Sequence, residues 1–287
     1  MRERDIDATL RTGQPMKTQS GRGTRRLLSR AAAGMRSSLL PLHAVRGRLR
    51  YLSPFPRRFT GAYRSYAEAY AAARHHGVAG YDHDEIAHVA FEKMCKVALW
   101  DYPVLFWLQK LSNEVLLLVD AGGHMGTKYR AFRKILPAVN ELDWTVYDLP
   151  AIVRAGQRRA EQDGLKGLHF VEYLEDAGVP DLFLGSGLLQ YLDVTLVELL
   201  GRLPMLPRHL LLNKVALRKG ETVVTLERIG RALVPYQIRN EEAFLSEVQG
   251  IGYELVDRWT ILALSHVIDT HPELGASESA GFYFRLP

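Results

Sequence analysis

An acidic residue followed by a glycine-rich turn is the segment whose residue types best suit ligand chemistry. The run 116–126 reads Leu-Leu-Leu-Val-Asp-Ala-Gly-Gly-His-Met-Gly, and a helical pattern follows over 127–136. Glycine lets the backbone approach a ligand closely, and a carboxylate accepts hydrogen bonds from amines and hydroxyls. A strand, a glycine turn and a helix N-terminus together favour a nucleotide-like ligand. The sequence therefore predicts a binding loop made of Asp120, Ala121, Gly122, Gly123 and Gly126.

Polar or small residues also close the later strands that the sequence predicts. Asp148 and Glu172 end two of them, Ser186 follows the next after Gly185, and Asn213 ends another. In parallel α/β sheets the ligand binds beyond the carboxyl ends of the strands. We therefore expect Asp148, Glu172 and Ser186 to join Asp120 in the binding site.

The segment after Ser186 supplies candidates for contact with a second ligand. Gln190 and Tyr191 are predicted to line that site, although Tyr191 also fits simple packing of the local helix. His124 and Tyr191 are the candidates for a catalytic role, and no catalytic base is identified. His266 and His271, in the loop before the last strand, offer imidazoles that titrate near neutral pH. No spacing of His, Asp and Glu predicts a metal site.

These residues are positioned by alternating strands and helices, which imply a mostly parallel sheet with helices on both faces. The strands are expected at 116–120, 143–148, 167–172, 181–184, 209–213, 253–258 and 281–286. The helices are expected at 64–76, from Asp82 or Asp84 to 98, and at 127–136, 151–163, 194–202 and 240–249. The fold class is therefore α/β with about seven strands.

Charge is distributed unevenly along the 287 residues. Residues 1–58 carry 14 Lys and Arg and three acids, a net charge of +11, whereas residues 59–287 carry a net charge of −6. A mildly acidic body argues against nucleic-acid binding by the folded domain. The single cysteine excludes an intrachain disulfide framework, and no apolar stretch has the length of a transmembrane helix.

Three segments follow from these patterns. Residues 1–58 are predicted to be a basic, weakly ordered tail, 59–110 a helical lid or side layer, and 111–287 the ligand-binding α/β domain. The tail is read as a solvated extension, as a contact with a membrane surface or acidic partner, or as a targeting segment. We expect a cytoplasmic protein, and the membrane-contact reading of the tail would place that protein at the inner membrane.

The order of these motifs resembles that of class I S-adenosylmethionine-dependent methyltransferases. The loop at 120–126 looks like their first motif, Asp148 like their ribose-binding acid, and 181–193 like their fourth-strand motif. The resemblance implies S-adenosylmethionine as cofactor, a terminal antiparallel strand pair and Ser186 near the transferred methyl group. It also implies an acid near the adenine amine, for which Glu172 is the first candidate and Asp176 the alternative. One departure is His124, which stands where the family's loop has a second spaced glycine.

More narrowly, the chain resembles a poorly characterised bacterial group of methyltransferases associated with surface-polysaccharide gene clusters. The segments that carry this likeness are 59–63, 120–129, 186–192 and 281–284. It implies methyl transfer to a small-molecule or sugar-containing acceptor. Two alternatives stay open. One is an NAD-dependent oxidoreductase, because Ala121-x-Gly123-x-x-Gly126 is close to a dinucleotide fingerprint. The other is a non-catalytic binding module of the same fold.

Overall fold

The computed structural model describes residues 41, 42, 45, 58–75, 91–230 and 232–287. Most of the predicted basic tail lies outside the described residues, and so does the predicted helix start at Asp82 or Asp84. The boundary between the predicted lid and the α/β domain remains a prediction. None of the helices among the described residues has both the length and the hydrophobicity that spanning a membrane requires.

The described chain contains ten strands and seven α-helices, which we number in chain order. The strands are β1 Phe59–Tyr63, β2 Leu117–Ala121, β3 Asp143–Tyr147, β4 Leu168–Val171, β5 Leu182–Ser186, β6 His209–Arg218, β7 Val223–Ile229, β8 Ala232–Asn240, β9 Glu254–Thr260 and β10 Glu278–Arg285. The helices are α1 Tyr66–His75, α2 Phe91–Met94, α3 Tyr102–Lys110, α4 Thr127–Phe132, α5 Pro150–Gln162, α6 Leu196–Leu200 and α7 Glu241–Gly250.

Seven of the strands form a twisted α/β core in the order β4-β3-β2-β5-β6-β10-β9. β2 to β6 are parallel to one another, and β10 runs antiparallel to both of its neighbours. The order reverses at β2, which places a switch point between β2 and β5, where ligands of such sheets bind. The predicted fold class, including the terminal antiparallel pair, is confirmed.

Alternating apolar residues in the central strands bury both faces of the sheet. Leu118 and Leu184 pack with α3, α4 and α5 on one face, whereas Val119 and Phe183 pack with α6 and α7 on the other. Because the side-chain period of a strand is two, a near-continuous apolar run is what a strand covered on both faces requires. Packing on both faces of the sheet thereby fixes the positions of the strand ends that carry the predicted site residues.

Three strands extend the sheet beyond the seven predicted from the sequence. β7 pairs antiparallel with β1 on one side and with β8 on the other, and β8 joins the core through Leu217 and Arg218 of β6. β6 is twice as long as predicted, because it continues past Asn213 to Arg218. Phe59–Tyr63, placed by the sequence in a helical segment, is a strand. Helix α4 ends at Phe132, before the predicted residue 136.

Candidate functional site

The carboxyl ends of β2 to β6 lie at one edge of the sheet. In the register of the parallel ladders, Ala121 pairs with Tyr147 and with Gly185, Tyr147 with Val171, and Ser186 with Asn213. The predicted site residues at these ends are therefore brought to one edge, in the order Glu172, Asp148, Asp120, Ser186, Asn213. Adjacent strands lie about 4.8 Å apart, so neighbouring members of this row can contact one ligand.

Asp120 is a buried carboxyl at the centre of this row. Its side chain is 1% exposed and accepts a hydrogen bond of 3.2 Å from Nε1 of Trp144. Burial raises the pKa of Asp120 to about 7, and the Trp144 hydrogen bond and the charge of Lys128 oppose that rise. A cationic or hydrogen-bond-donating ligand group at this position would favour the ionised carboxylate.

The glycine loop passes close to Asp120 because its residues have no side chains. A Cβ atom on Gly123 would lie 2.5 Å from Oδ2 of Asp120, and one on Gly126 would lie 2.6 Å from the Leu168 side chain. Gly122 and Gly126 also have φ values of 70° and 72°, in the left-handed region that glycine tolerates best. Gly122 and Gly126 are therefore required by the backbone conformation, and Gly123 by the close approach to the acid.

Asp148 fastens the glycine loop to the end of β3. Its Oδ2 accepts a hydrogen bond of 2.8 Å from the backbone N–H of His124, and its Oδ1 accepts one of 2.8 Å from Leu149. Burial raises the pKa of Asp148, and these two backbone hydrogen bonds lower it. A carboxylate has about four acceptor positions, so two remain for hydroxyl groups of a ligand.

His124 and Glu172 occupy the loop and strand-end positions expected for them. His124 has a φ of 56°, so a histidine occupies a conformation that suits glycine. Glu172 directly follows β4 and lies 3.9 Å from Arg154 in a partly exposed ion pair. A pair of this kind contributes little to stability, and the Glu172 carboxylate is thereby available to a ligand at the β4 end of the row.

Ser186 and Gln190 lie on the β5–β6 side of the row. Ser186 is the last residue of β5, and its Oγ lies 3.5 Å from Nδ2 of Asn213. The Gln190 side chain is 6% exposed, yet its Oε1 accepts no hydrogen bond from any described residue. Buried side-chain oxygens are normally satisfied, so the unused Oε1 marks a polar position suited to a donor group of a ligand.

Tyr191 points into the β1–β7–β8 sheet. Its hydroxyl donates a hydrogen bond of 2.6 Å to Oε2 of Glu227, which is 2% exposed and also holds Arg58 at 2.6 Å. Tyr236 packs edge-on against the Tyr191 ring. Tyr191 therefore connects the segment after β5 to the added sheet, and its predicted contact with an acceptor is not shown.

Sequence reasoning missed two lysines near this edge. Lys128, on the first turn of α4, donates hydrogen bonds of 2.8 and 2.7 Å to the two carboxylate oxygens of Asp101, which is fully buried. Lys214 follows Asn213 directly, with a φ of 60°. Burial and the charge of Lys128 lower the pKa of Lys214 to about 8, whereas Asp101 and Asp120 raise it. The sequence places Lys214 just past a predicted strand end, but that position alone does not mark it as functional.

Comparison with known proteins gives distant structural likenesses only. No family model matches the chain, and no curated protein matches it in sequence. The N-terminal domain of EvdMO1, solved with S-adenosylhomocysteine bound, is 12% identical with a TM-score of 0.47, over 77% of this chain and 97% of that one.

Two further solved structures are similarly distant. The glycopeptide N-methyltransferase MtfA, in complex with S-adenosylmethionine, is 10% identical over 67% of this chain and 97% of its own, with a TM-score of 0.44. An O-methyltransferase family protein from Burkholderia thailandensis is 12% identical over 85% of this chain and 71% of its own, with a TM-score of 0.46. The strand order described above, rather than these likenesses, identifies the fold.

Proposed function

We propose that this chain is an S-adenosylmethionine-dependent methyltransferase acting on a small-molecule or sugar-containing acceptor. The observation that carries the proposal is the junction of β2, the glycine loop and Asp148. There Gly123 lies against the buried carboxyl of Asp120, and the loop is fastened to the next strand end through His124 N–H. A strand end with two acids and a close-approaching backbone suits a ligand that presents a ribose and an α-amino group.

The residues at this edge fit S-adenosylmethionine. Asp120, Ala121, Gly122, Gly123 and Gly126 would hold its methionine portion through the loop backbone and the Asp120 carboxylate. Asp148 would accept hydrogen bonds from the ribose hydroxyls, and Glu172 one from the adenine amine. The open acceptor positions on Asp148 and the loose ion pair of Glu172 support these roles.

The acceptor would lie on the β5–β6 side, beside Ser186, Gln190 and Tyr191. When bound, S-adenosylmethionine supplies an electrophilic methyl group. The task of the protein is then alignment, because displacement at carbon requires the acceptor atom in line with the departing bond. The unused Oε1 of Gln190 supports a role in orienting a hydroxyl or amino group of the acceptor.

The finer features of the proposal concern the biological setting. We infer an acceptor related to surface polysaccharides from the likeness of segments 59–63, 120–129, 186–192 and 281–284. A cytoplasmic location, with the tail contacting the inner membrane, is inferred from the net charge of +11 on residues 1–58. Deleting residues 1–50 should abolish binding to anionic vesicles and leave cofactor binding unchanged. Retained vesicle binding would contradict the inferred role of the tail.

Isothermal calorimetry with S-adenosylmethionine, S-adenosylhomocysteine and NAD tests the central proposal. We expect saturable binding of the first two and none of NAD. Asp120→Ala should abolish binding without unfolding the protein, whereas Asp143→Ala, which removes an exposed acid at the start of β3, should bind as the wild type does. Binding of NAD alone would instead favour an oxidoreductase.

A folded protein that binds none of the three ligands would favour a non-catalytic module. His124 is the residue that keeps this alternative open, because its φ of 56° places a side chain where glycine fits better. His124→Gly is therefore the first variant to measure. Recovery of S-adenosylhomocysteine binding in this variant would identify His124 as the cause of the lost affinity.

A further inference from the structure

We propose that Lys214 is the general base that accepts the proton of the methyl acceptor. This inference rests on the proposed function and supplies the base that the sequence analysis did not identify. Strand β6 leaves the parallel core at Lys214. On this side of β6, pairing with β5 ends at Asn213 and pairing with β8 begins at Leu217.

A β-bulge sets the direction of Lys214. In the ladder between β6 and β10, Leu212 pairs with Phe282 and Val215 with Ala280, so two residues of β6 oppose Gly281 alone. Lys214 is one of those two, and its φ is 60°. Bulges redirect side chains and are frequent beside active sites. The left-handed conformation is strained for lysine, because its Cβ atom crowds the following carbonyl oxygen, and glycine would not carry that strain.

The amino group of Lys214 reaches the segment that follows β5. A Cβ atom built on Gly187 would lie 2.8 Å from Nζ of Lys214, and 3.6 Å from Nε2 of Gln190. Nζ therefore lies against Gly187, in the segment that carries Ser186 and Gln190, the residues assigned above to the acceptor side. No described residue forms a hydrogen bond or ion pair with Nζ, in contrast to Lys128, which is held by both oxygens of Asp101.

The surroundings of Lys214 make its amine a usable base near neutral pH. The charged groups that act on it are Lys128 of α4, Asp101 before α3 and Asp120 of β2. Burial and Lys128 outweigh the two carboxylates, so the pKa falls to about 8 and a substantial fraction of the amine is neutral at pH 7.5. An ordinary lysine, with a pKa of about 10.4, has about 0.1% of its amine neutral there.

A hydroxyl acceptor loses its proton as its oxygen is methylated. The acceptor oxygen forms a bond to the methyl carbon, and its proton moves to the neutral Nζ of Lys214, which becomes an ammonium. The bonding pair of the broken carbon–sulfur bond stays on sulfur, which leaves as the neutral thioether of S-adenosylhomocysteine. The ammonium then returns its proton to solvent.

Competitive labelling of amines across a pH series tests this inference without a known acceptor. The protein is treated with trace acetic anhydride, alone and saturated with S-adenosylmethionine or S-adenosylhomocysteine, and each lysine is quantified by mass spectrometry. Exposed Lys219 is the internal reference, and Lys214→Arg verifies the peptide assignment. Lys214 should titrate near pH 8 in the free protein. The cationic sulfonium should lower that midpoint by about one pH unit relative to the neutral thioether, because like charges disfavour the ammonium.

The outcomes separate this inference from the proposed function. Failure of both ligands to bind, measured by calorimetry, overturns both. Binding of both ligands while Lys214 titrates as Lys219 does, or shows the same midpoint in the two complexes, overturns the role of Lys214 alone. Lys214→Gly provides a second measurement. A base held under backbone strain predicts a melting temperature a few degrees higher in this variant, whereas a structural role predicts a lower one.

Discussion

Replacing Asp120 by asparagine should change how the stability of the protein depends on pH. Asparagine keeps the size of the side chain and an oxygen that can accept the hydrogen bond from Trp144 Nε1, but it cannot ionise. In the wild type, burial raises the pKa of Asp120 from an ordinary value of 3.8 to about 7. Below pH 3.8 the carboxyl is protonated in both the folded and the unfolded chain. Ionisation of Asp120 therefore does not lower the stability of the wild type relative to the variant at such pH values.

Between these two pKa values the unfolded chain releases the proton and the folded protein retains it. The free energy of unfolding of the wild type, relative to Asp120→Asn, therefore falls as pH rises, and the fall is complete above about pH 7. The full difference corresponds to about 4 kcal/mol, at 1.36 kcal/mol for each pKa unit. More than half of this difference develops between about pH 5 and about pH 8.

Urea unfolding of both proteins, followed by tryptophan fluorescence at several pH values in that interval, measures the difference directly. Asp143→Asn controls for the loss of an exposed carboxylate near the same strands. A difference between wild type and Asp120→Asn that stays constant with pH would refute the reasoning, because it would mean that Asp120 ionises at its ordinary pKa. A difference of opposite slope would mean that a partner stabilises the carboxylate. The variant should also lose cofactor binding.

Three further substitutions test the site and its supports. Gly123→Ala should lower the free energy of unfolding by about 1–3 kcal/mol, because the added methyl group overpacks against Asp120. It should also abolish S-adenosylhomocysteine binding, and an unchanged affinity measured by calorimetry would contradict the close approach of Gly123 to Asp120. Tyr191→Phe should lower the free energy of unfolding by about 1–3 kcal/mol, because buried Glu227 loses a donor; an unchanged urea midpoint would argue against this. Asn240→Ala removes the side-chain oxygen that accepts a hydrogen bond from Ala243 N–H at the start of α7. This variant should lower the free energy of unfolding by about 1 kcal/mol, and an unchanged thermal unfolding midpoint would refute that expectation.

The strand ends could be predicted because two local signals coincide there. A short apolar run such as 116–119 marks a strand buried on both faces, and the acid or small residue after it marks the edge. Parallel pairing then brings all such ends together without further information. This is why Asp120, Asp148, Glu172 and Ser186 could be placed at one edge from the sequence.

The added sheet could not be predicted in the same way, because its strands bury polar residues. β7 carries Thr225 and Glu227 in buried positions, and β8 carries Arg239, so neither strand shows a clear apolar pattern. The partner of Tyr191 is Glu227, 36 residues away. That contact exists only after β7 pairs with β8 and β1, so no local pattern could indicate it.

The role proposed for Lys214 could not be predicted from the sequence for a different reason. Its conformation depends on the register between β6 and β10, which pairs Val215 with Ala280. The sequence shows a lysine after Asn213, and nothing local distinguishes it from a solvated residue at a strand end. The bulge, the left-handed φ and the missing partner appear only when residues 60 or more positions apart are aligned.

The place of β7 and β8 in the chain bears on how this protein can diversify. Both strands lie within the single connection between β6 and α7, and the excursion leaves and rejoins the core at paired residues, since Leu217 pairs with Arg239 and Arg218 with Asn240. A segment whose two ends meet can be lengthened, shortened or exchanged between relatives without altering the order of the seven core strands. Strands β7 and β8, which contact Tyr191, can therefore change in evolution independently of the glycine loop beside Asp120.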